Sequence, residues 1–208
     1  MKYLTRNNLA QPHYDPYHHR LQYVSDEMIE GWSEMVRCWI DGDGFGVRDP
    51  YFFSFMFDNI PGSAEVKWDV MKSEIQLAHK KLTRHIVRNP KNPLRTFLHP
   101  RCVVCPDYPV WKHKKVDCCI LHAPNGGLHA HGIVVAPKPR DEELAAIKCP
   151  QSRLRETLDV HFETHHSHYT SHLLNRIHVE PIIYGTMTDY LFKTIKHGNA
   201  SYDDVLLL

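Results

Sequence analysis

The sequence feature that most constrains the fold is the apolar run at residues 128–136, which contains His129 and His131. Its small and β-branched residues are typical of a strand, and side chains two positions apart on a strand point to the same face of the sheet. The dipeptide Asn125-Gly126 comes just before this run and is a strong signal for the tight turn of a β-hairpin. A second β-like run, residues 116–122, precedes the turn. We therefore predict a central hairpin whose second strand carries both histidines on one face.

The register of this hairpin determines which other side chains share that face. A turn centred on Asn125-Gly126, or the four-residue loop around it, places His122 directly across from His129 and on the same face as His131, whereas a three-residue loop would turn it away. Imidazoles that converge on one sheet face predict a metal site with open positions for a substrate. The alternative is that the histidines are hydrogen-bonded surface groups in a chain that contains 17 of them.

Length and composition limit the class of protein. The chain has 208 residues, of which 42% are hydrophobic and 24% charged, and these values are typical of one globular domain of moderate size. The sequence shows neither a signal-peptide core nor an apolar run as long as a membrane span, so we expect a cytoplasmic protein without membrane contact. The formal net charge of +1 neither indicates nor excludes nucleic-acid binding, because local clustering of Lys and Arg decides it.

Basic residues do cluster locally. We predict DNA-backbone contacts from the basic face of a long helix, from a loop before the hairpin and from the end of the last helix: Lys80, Lys81, Arg84 and Arg88; Lys112, Lys114 and Lys115; and Lys196. The alternative for each cluster is solvated surface charge. The histidine-rich stretch at residues 161–172 has two interpretations. Its histidines could form a second metal site, or they could be ordinary surface residues.

The cysteines leave a choice between zinc binding and buried thiols. A zinc site could use Cys102, Cys105 and one of the adjacent pair Cys118 and Cys119. Prolines crowd the first pair, and neighbouring cysteines on a strand point to opposite faces, so buried reduced thiols are the favoured interpretation.

Hydrophobic periodicity and capping signals predict the order of the elements. The ranges are an irregular arm at 1–24, helices at 25–41 and 63–89, and strands at 51–58 and 176–184. Thr186 and Asp189 are predicted to cap a last helix that extends to His197. The order of strand, long helix, strands with a hairpin, helix, strand and helix predicts an α+β fold with a mainly antiparallel central sheet and helices packed on it.

A second motif, Tyr190-x-x-Lys193, lies on the predicted last helix, downstream of His129-Ala-His131. In this order and at this separation, the two motifs resemble the HUH endonucleases, in particular the rolling-circle replication initiators (Rep proteins) of small plasmids, phages and single-stranded DNA viruses. The resemblance covers residues 50–198 and implies a fold related to ferredoxin-like and RRM-like domains. With it we divide the chain into an N-terminal arm and helix (1–48), an HUH domain (49–200) and a tail (201–208) that looks cut off.

The resemblance implies a mechanism. Tyr190 would attack a phosphate of single-stranded or hairpin DNA at a replication origin, leaving a 5′-phosphotyrosine and a free 3′-hydroxyl, with Lys193 stabilising phosphate charge or lowering the pKa of the phenol. A divalent cation, Mn²⁺ or Mg²⁺, would be held by His129, His131 and His122, which stands where many members have Glu. Host helicase and polymerase would be further partners.

Other functions remain open from the residues. Positions 186 and 194 are Thr, so there is no second tyrosine one turn from Tyr190, and this favours the single-tyrosine class. Ala130 is smaller than the apolar residue usual between the two histidines of the family. A related transposase or relaxase, a hydrolytic metallonuclease without a covalent step, and a non-catalytic DNA-binding or zinc-stabilised module are the alternatives.

Overall fold

The computed structural model describes residues 16–41, 48–108, 124–140 and 151–208, with side chains described from residue 26 onward. The helices are α1 (Pro16–Asp41), α2 (Ala64–Ile86), α3 (Leu158–Tyr169), α4 (Thr188–Leu191) and α5 (Lys193–Lys196). The strands are β1 (Arg48–Phe57), β2 (Arg101–Asp107), β3 (His129–Pro137), β4 (Leu174–Pro181) and β5 (Leu206–Leu207). Short 3₁₀ turns occur at Pro93–Leu98, Pro124–Gly127 and Tyr202–Asp204. No helix in these ranges is long and apolar enough to cross a membrane.

The strands form one five-stranded sheet in the order β4-β1-β3-β2-β5. Every adjacent pair is antiparallel. The α+β fold with an antiparallel central sheet and helices packed on it is therefore confirmed.

The two faces of the sheet carry different helices. Residues Phe53 and Phe55 of β1 pack in one apolar cluster with Trp68 and Met71 of α2 and with Phe162 of α3. The alternate residues of the strands pack in a second cluster on the opposite face, where Phe52 and Ile133 meet Ile29 and Val36 of α1 and Phe192 from the C-terminal part of the chain. This alternation follows from the period of two along a strand.

Among the described residues, the neighbours of β3 are β1 and β2. The residue opposite His129 is Asp107 of β2, and His131 lies opposite Cys105 on β2 and Ser54 on β1. The strand predicted at residues 116–122 lies outside the described residues. His122 itself lies outside the described residues.

The turn predicted at Asn125-Gly126, before β3, has the backbone conformation that this dipeptide favours. Asn125 has φ 58° and Gly126 has φ 66°, the left-handed conformations that this dipeptide favours. The Asn125 side chain is buried, accepts a hydrogen bond from the Ile60 amide at 2.7 Å and donates one to the Asp58 carbonyl at 2.9 Å. The turn is thus anchored to the end of β1 and positions the start of β3.

Several predicted boundaries also need correction. Helix α1 begins at Pro16 rather than Ser25, so residues 16–24 are helical and not an irregular arm. Ser63 caps α2 as predicted, with its Oγ accepting from the Val66 amide at 3.3 Å, and the helix ends at Ile86.

The predicted last helix consists of two short helices. They are separated at Phe192, which has φ −93° and ψ 13°. The predicted reciprocal cap between Thr186 and Asp189 is not formed, since the Thr186 hydroxyl instead contacts the Thr188 hydroxyl at 2.8 Å.

The C-terminal residues and the cysteines complete the sheet. Leu206 and Leu207 pair with Val104 and Val103 of β2, so the end of the chain contributes a strand. Cys102 is buried in the cluster beneath α2, whereas Cys105 is buried in the cluster on the opposite face. Burial raises the pKa of the Cys105 thiol to about 12. A single zinc ion therefore cannot bind both cysteines; Cys118 and Cys119 lie outside the described residues.

Candidate metal centre

Antiparallel pairing brings Asp107, His129 and His131 together on the sheet face that also carries α1. Asp107 is the last residue of β2 and lies directly opposite His129, while His131 is two residues further along β3. The Asp107 Oδ2 atom is 3.3 Å from His129 Nε2 and 3.2 Å from His131 Nε2. The two Nε2 atoms are 3.1 Å apart. The three side chains therefore direct their ligand atoms at one small volume, as a metal centre requires.

Hydrogen bonds to the other ring nitrogens orient both imidazoles. His129 Nδ1 donates to the Gly127 carbonyl at 2.9 Å, because a carbonyl oxygen can only accept. Neutral His129 therefore has its lone pair on Nε2. His131 Nδ1 lies 3.0 Å from the Ser54 hydroxyl oxygen, which can accept a hydrogen bond from it as the Gly127 carbonyl does from His129. Such partners on the distal nitrogen are the usual support of metal-binding histidines.

The donor set fits a divalent cation. Two Nε2 lone pairs and a carboxylate oxygen at these distances repel one another unless a proton or a cation lies between them. Burial lowers the pKa of His129, although the hydrogen bond to Gly127 raises it, so the neutral form that binds metals is favoured near pH 7. Imidazole nitrogens combined with a carboxylate oxygen suit divalent first-row metals such as Mn²⁺. Asp107, His129 and His131 could therefore hold a metal ion.

Asp107 is held in its charged form. Burial by itself raises the pKa of the carboxyl group, but hydrogen bonds from His131 and Lys193 lower it to about 2, together with the charge of Lys193 and that of His129, which is protonated in the acid range where Asp107 titrates. Lys193 Nζ lies 2.8 Å from Oδ2. The Thr194 hydroxyl donates to Oδ1 at 3.1 Å. Both carboxylate oxygens thus have fixed partners, which orient the group towards the histidines.

Tyr190 lies beside this centre and is accessible. Its ring centroid is 5.6 Å from that of His131 and 5.5 Å from that of Phe52, and 45% of the residue is exposed. Lys193 Nζ lies 4.3 Å from the centre of the Tyr190 ring. Burial lowers the pKa of Lys193, but Asp107 and Tyr190 outweigh this effect and raise it, so the amine stays a cation at neutral pH.

The structure therefore brings together four of the residues singled out from the sequence: His129, His131, Tyr190 and Lys193. It adds Asp107, which was not predicted as a ligand. Residues 103, 105 and 107 alternate along a β-like stretch, so a carboxylate at the strand end could have been found by testing this stretch as the partner of β3. The predicted ligand His122 and the predicted DNA contacts Lys112, Lys114 and Lys115 lie outside the described residues.

The predicted DNA contacts near α2 do not share a sheet face with the centre, whereas Lys196 lies on the same face as the centre. Lys80, Lys81, Arg84 and Arg88 lie on or just after α2, which packs on the opposite face of the sheet. Lys81 Nζ donates to the His168 carbonyl at 2.9 Å. Lys196 is on α5 and forms an ion pair of 2.7 Å with Asp189.

Comparison of the chain with models of known protein families, with curated proteins and with solved structures gave no match. What the centre can do chemically therefore follows from its own geometry. That geometry combines a cluster that could hold a cation, a fixed ammonium group and an exposed phenol within one small area.

Proposed function

We propose that the protein is a metal-dependent endonuclease of single-stranded DNA that uses Tyr190 as its nucleophile, as HUH rolling-circle replication initiators do. The observation that supports this proposal most directly is the position of the exposed Tyr190 ring, which lies against His131 of the metal-binding cluster and beneath the Lys193 ammonium group. A surface tyrosine without a role would need neither neighbour.

Asp107, His129 and His131 would hold the cation, Mn²⁺ or Mg²⁺. When bound, a divalent cation would neutralise the charge of a non-bridging phosphate oxygen and orient the phosphodiester. The buried carboxylate of Asp107 contributes the oxygen ligand that Mg²⁺ and Mn²⁺ both accept. The same carboxylate fixes Lys193, because the ammonium group lies 2.8 Å from Oδ2.

The proposed reaction is a transfer of the phosphoryl group from DNA to tyrosine. The Tyr190 Oη atom forms a bond to phosphorus, the bond from phosphorus to O3′ breaks, and the leaving oxygen takes up a proton to become a free 3′-hydroxyl. The phenol proton passes to solvent. Lys193 stabilises the negative charge that develops on the phenol oxygen and on the phosphate. The phosphotyrosine diester conserves the bond energy, so attack by a 3′-hydroxyl can rejoin the strand.

An open part of the sheet face supports a single-stranded substrate. Helix α1 covers Phe52 and Ile133, but Met56 is 45% exposed on the same face. Arg176 lies opposite Met56, and His178 opposite Ser54, so both side chains of β4 face this side and are exposed. An extended strand could place its phosphates along this surface with its bases unpaired. In-line attack by Tyr190 is harder within a closed duplex, where the phosphate is held by the helix geometry.

The test is cleavage of single-stranded oligonucleotides taken from the DNA that flanks the gene, with Mn²⁺ or with EDTA. Wild-type protein should give a protein–DNA band that survives SDS, because the phosphotyrosine bond is covalent. EDTA and the Tyr190→Phe substitution should each abolish the band. Tyr184→Phe is the matched control, because Tyr184 is 87% exposed and should leave the reaction unchanged.

Two outcomes would contradict the proposal. Cleavage that persists in Tyr190→Phe without a covalent band would assign the cluster to a hydrolytic metallonuclease. Binding of duplex DNA that needs no metal, without cleavage of any flanking oligonucleotide, would favour a non-catalytic binding module.

A further inference from the structure

A second concave site lies on the sheet face opposite the metal centre, between the end of α2 and the start of α3. Its volume is about 630 Å³. Five arginines line it: Arg88, Arg95, Arg140, Arg153 and Arg155. They come from separate segments of the chain that meet at one pocket. Basic residues on one face of a single helix would instead form a line along that helix.

Backbone hydrogen bonds hold these segments together. The Arg153 amide donates to the Ile86 carbonyl at the end of α2 at 2.8 Å, and the Arg140 amide donates to the Leu154 carbonyl at 2.7 Å. Leu154 is 1% exposed and anchors the segment in the core, while Arg153 and Arg155 on either side of it are exposed. The backbone positions of Arg140, Arg153 and Arg155 are therefore fixed by the fold.

The described residues that line this pocket carry a strongly positive charge. Glu156 is the one acidic side chain among them, and it lies 3.1 Å from His161 Nδ1 and 3.8 Å from His165 Nε2. Among the described parts of the chain, none of the five arginines forms an ion pair with a carboxylate. Burial lowers the pKa of His85 at the pocket wall, and the positive charges of His161 and Arg153 lower it further.

A metal ion is a poorer occupant than an anion. Glu156, His161 and His165 have ligand atoms close enough together to share a cation. However, His161 has a partner on each ring nitrogen, since Nδ1 contacts Glu156 and Nε2 contacts the Tyr169 hydroxyl at 2.8 Å. The surrounding guanidinium groups would also repel a cation.

We propose that this pocket binds a small ligand that carries a chain of phosphate groups, such as inorganic triphosphate or a nucleoside triphosphate. Guanidinium groups pair with phosphate oxygens through two parallel hydrogen bonds, and several of them can share one polyphosphate chain. The volume lies within the range of pockets for small ligands. The side-chain amide of Gln151 also lines the pocket and has no hydrogen-bond partner among the described residues, so it is available to such a ligand. This site goes beyond the proposed nuclease function.

The test is calorimetric titration of the full chain, in EDTA, with inorganic triphosphate, ATP, AMP and a single-stranded oligonucleotide. Triphosphate and ATP should bind with a stoichiometry of one, and AMP at least about tenfold more weakly, because it offers fewer phosphate groups. The double substitution Arg153→Ala/Arg155→Ala should weaken ATP binding on the order of 100-fold, since each lost pair is a charge-assisted hydrogen bond. Circular dichroism should show that this variant remains folded.

Two control variants separate this site from other surfaces. Arg37→Ala removes an exposed arginine that pairs with Glu34 on α1, and it should leave ATP binding unchanged. His129→Ala alters the metal centre and should also leave it unchanged, so the result does not depend on the nuclease proposal. Absence of triphosphate binding, an equal loss in Arg37→Ala, or binding of the oligonucleotide but not of ATP would each overturn the proposal.

Discussion

Ser54 contacts the His131 ring and so orients its other nitrogen, Nε2, towards a ligand. Its hydroxyl lies 3.0 Å from His131 Nδ1 and occupies the ring nitrogen that faces away from Asp107. His129 has the Gly127 carbonyl in the equivalent place. Both rings are therefore oriented before any cation arrives, and the reorganisation needed on binding is small.

Replacement of Ser54 by Ala should weaken Mn²⁺ binding by about tenfold, because the His131 ring loses the partner that fixes its orientation and tautomer. Calorimetric titration of the full chain with Mn²⁺ measures the change. Ser73→Ala is a suitable control, since Ser73 is exposed on α2 and its Oγ donates to the Asp69 carbonyl. An unchanged affinity in Ser54→Ala would show that the hydroxyl does not support the centre.

Asp107 should make the stability of the metal-free protein depend on pH in the acid range. Its folded-state pKa of about 2 lies below the ordinary value of 3.8, so its stabilising effect is fully present above that ordinary value. The effect is lost as the pH falls towards 2 and the folded carboxylate takes up a proton. A shift of this size corresponds to about 2 kcal/mol of unfolding free energy.

Urea unfolding in EDTA between pH 2 and pH 6 tests this effect of Asp107. The difference between wild type and Asp107→Asn should be largest above the ordinary carboxyl pKa and should disappear at the acid end. Asp189→Asn, which removes an exposed carboxylate paired with Lys196, should change stability by less than about 1 kcal/mol. A difference between wild type and Asp107→Asn that stays constant with pH would contradict the assignment.

The sequence predicted the two β3 histidines and the Tyr190–Lys193 pair but not Asp107. The histidines can be found because their spacing of two places them on one face of a strand whatever lies beside it. Asp107 becomes a neighbour of His129 only through strand pairing between distant segments, which no local pattern specifies. The choice of His122 followed from the local turn signal.

At the scale of the elements, β3 is the strand on which the centre depends. It pairs along its length with β1 and β2, and Gly132 lies between His131 and Ile133 at its most crowded point. A Cβ atom on Gly132 would lie 3.0 Å from Val104 Cγ2, 3.2 Å from the Val103 carbonyl oxygen and 3.3 Å from Phe55 Cε2. The carbonyl belongs to the neighbouring strand and cannot move without disturbing the ladder.

Gly132→Ala should therefore lower the free energy of unfolding by about 1–3 kcal/mol, as overpacked core substitutions do. Urea denaturation followed by circular dichroism measures it. Gly31→Ala is the matched control, because a Cβ there meets nothing within 4 Å on the surface of α1. That substitution should be neutral or stabilise the protein by up to about 1 kcal/mol. Equal stability of Gly132→Ala and wild type would show that the sheet can absorb the added methyl group.

Element prediction succeeded where the signal was local. The cap at Ser63, the strand that carries His129 and the turn at Asn125 and Gly126 all depend on residues within a few positions of one another. The break at Phe192 was missed because it results from tertiary packing: this ring is fully buried and stacks on Trp32 of α1 at a centroid distance of 4.1 Å. Helical periodicity in the sequence continues through it.

At the scale of the molecule, the sheet separates two sites with different charge. One face presents Asp107 with the histidines, and the other presents the arginine pocket. The net charge of +1 does not show that the two sites differ in charge. The sequence shows basic residues on and just after α2, but the pattern of a helix does not specify which sheet face it covers. The face that a helix covers depends on the connections between the strands. In this fold, Arg88 lies at the pocket, on the face opposite Tyr190.

The pairing of β2 with β3 has one more consequence, for how the chain can change over evolution. Asp107 and His129 are held opposite each other by the ladder, so their spacing does not depend on the residues that connect them. The entropy of closing a flexible loop grows slowly, and doubling its length costs only about 0.6 kcal/mol. Insertions or deletions between residues 108 and 124, before the turn that orients His129, should therefore be tolerated without loss of the ligand geometry. This part of the sequence is the place where homologous chains can differ most in length and still keep Asp107 and His129 opposite each other.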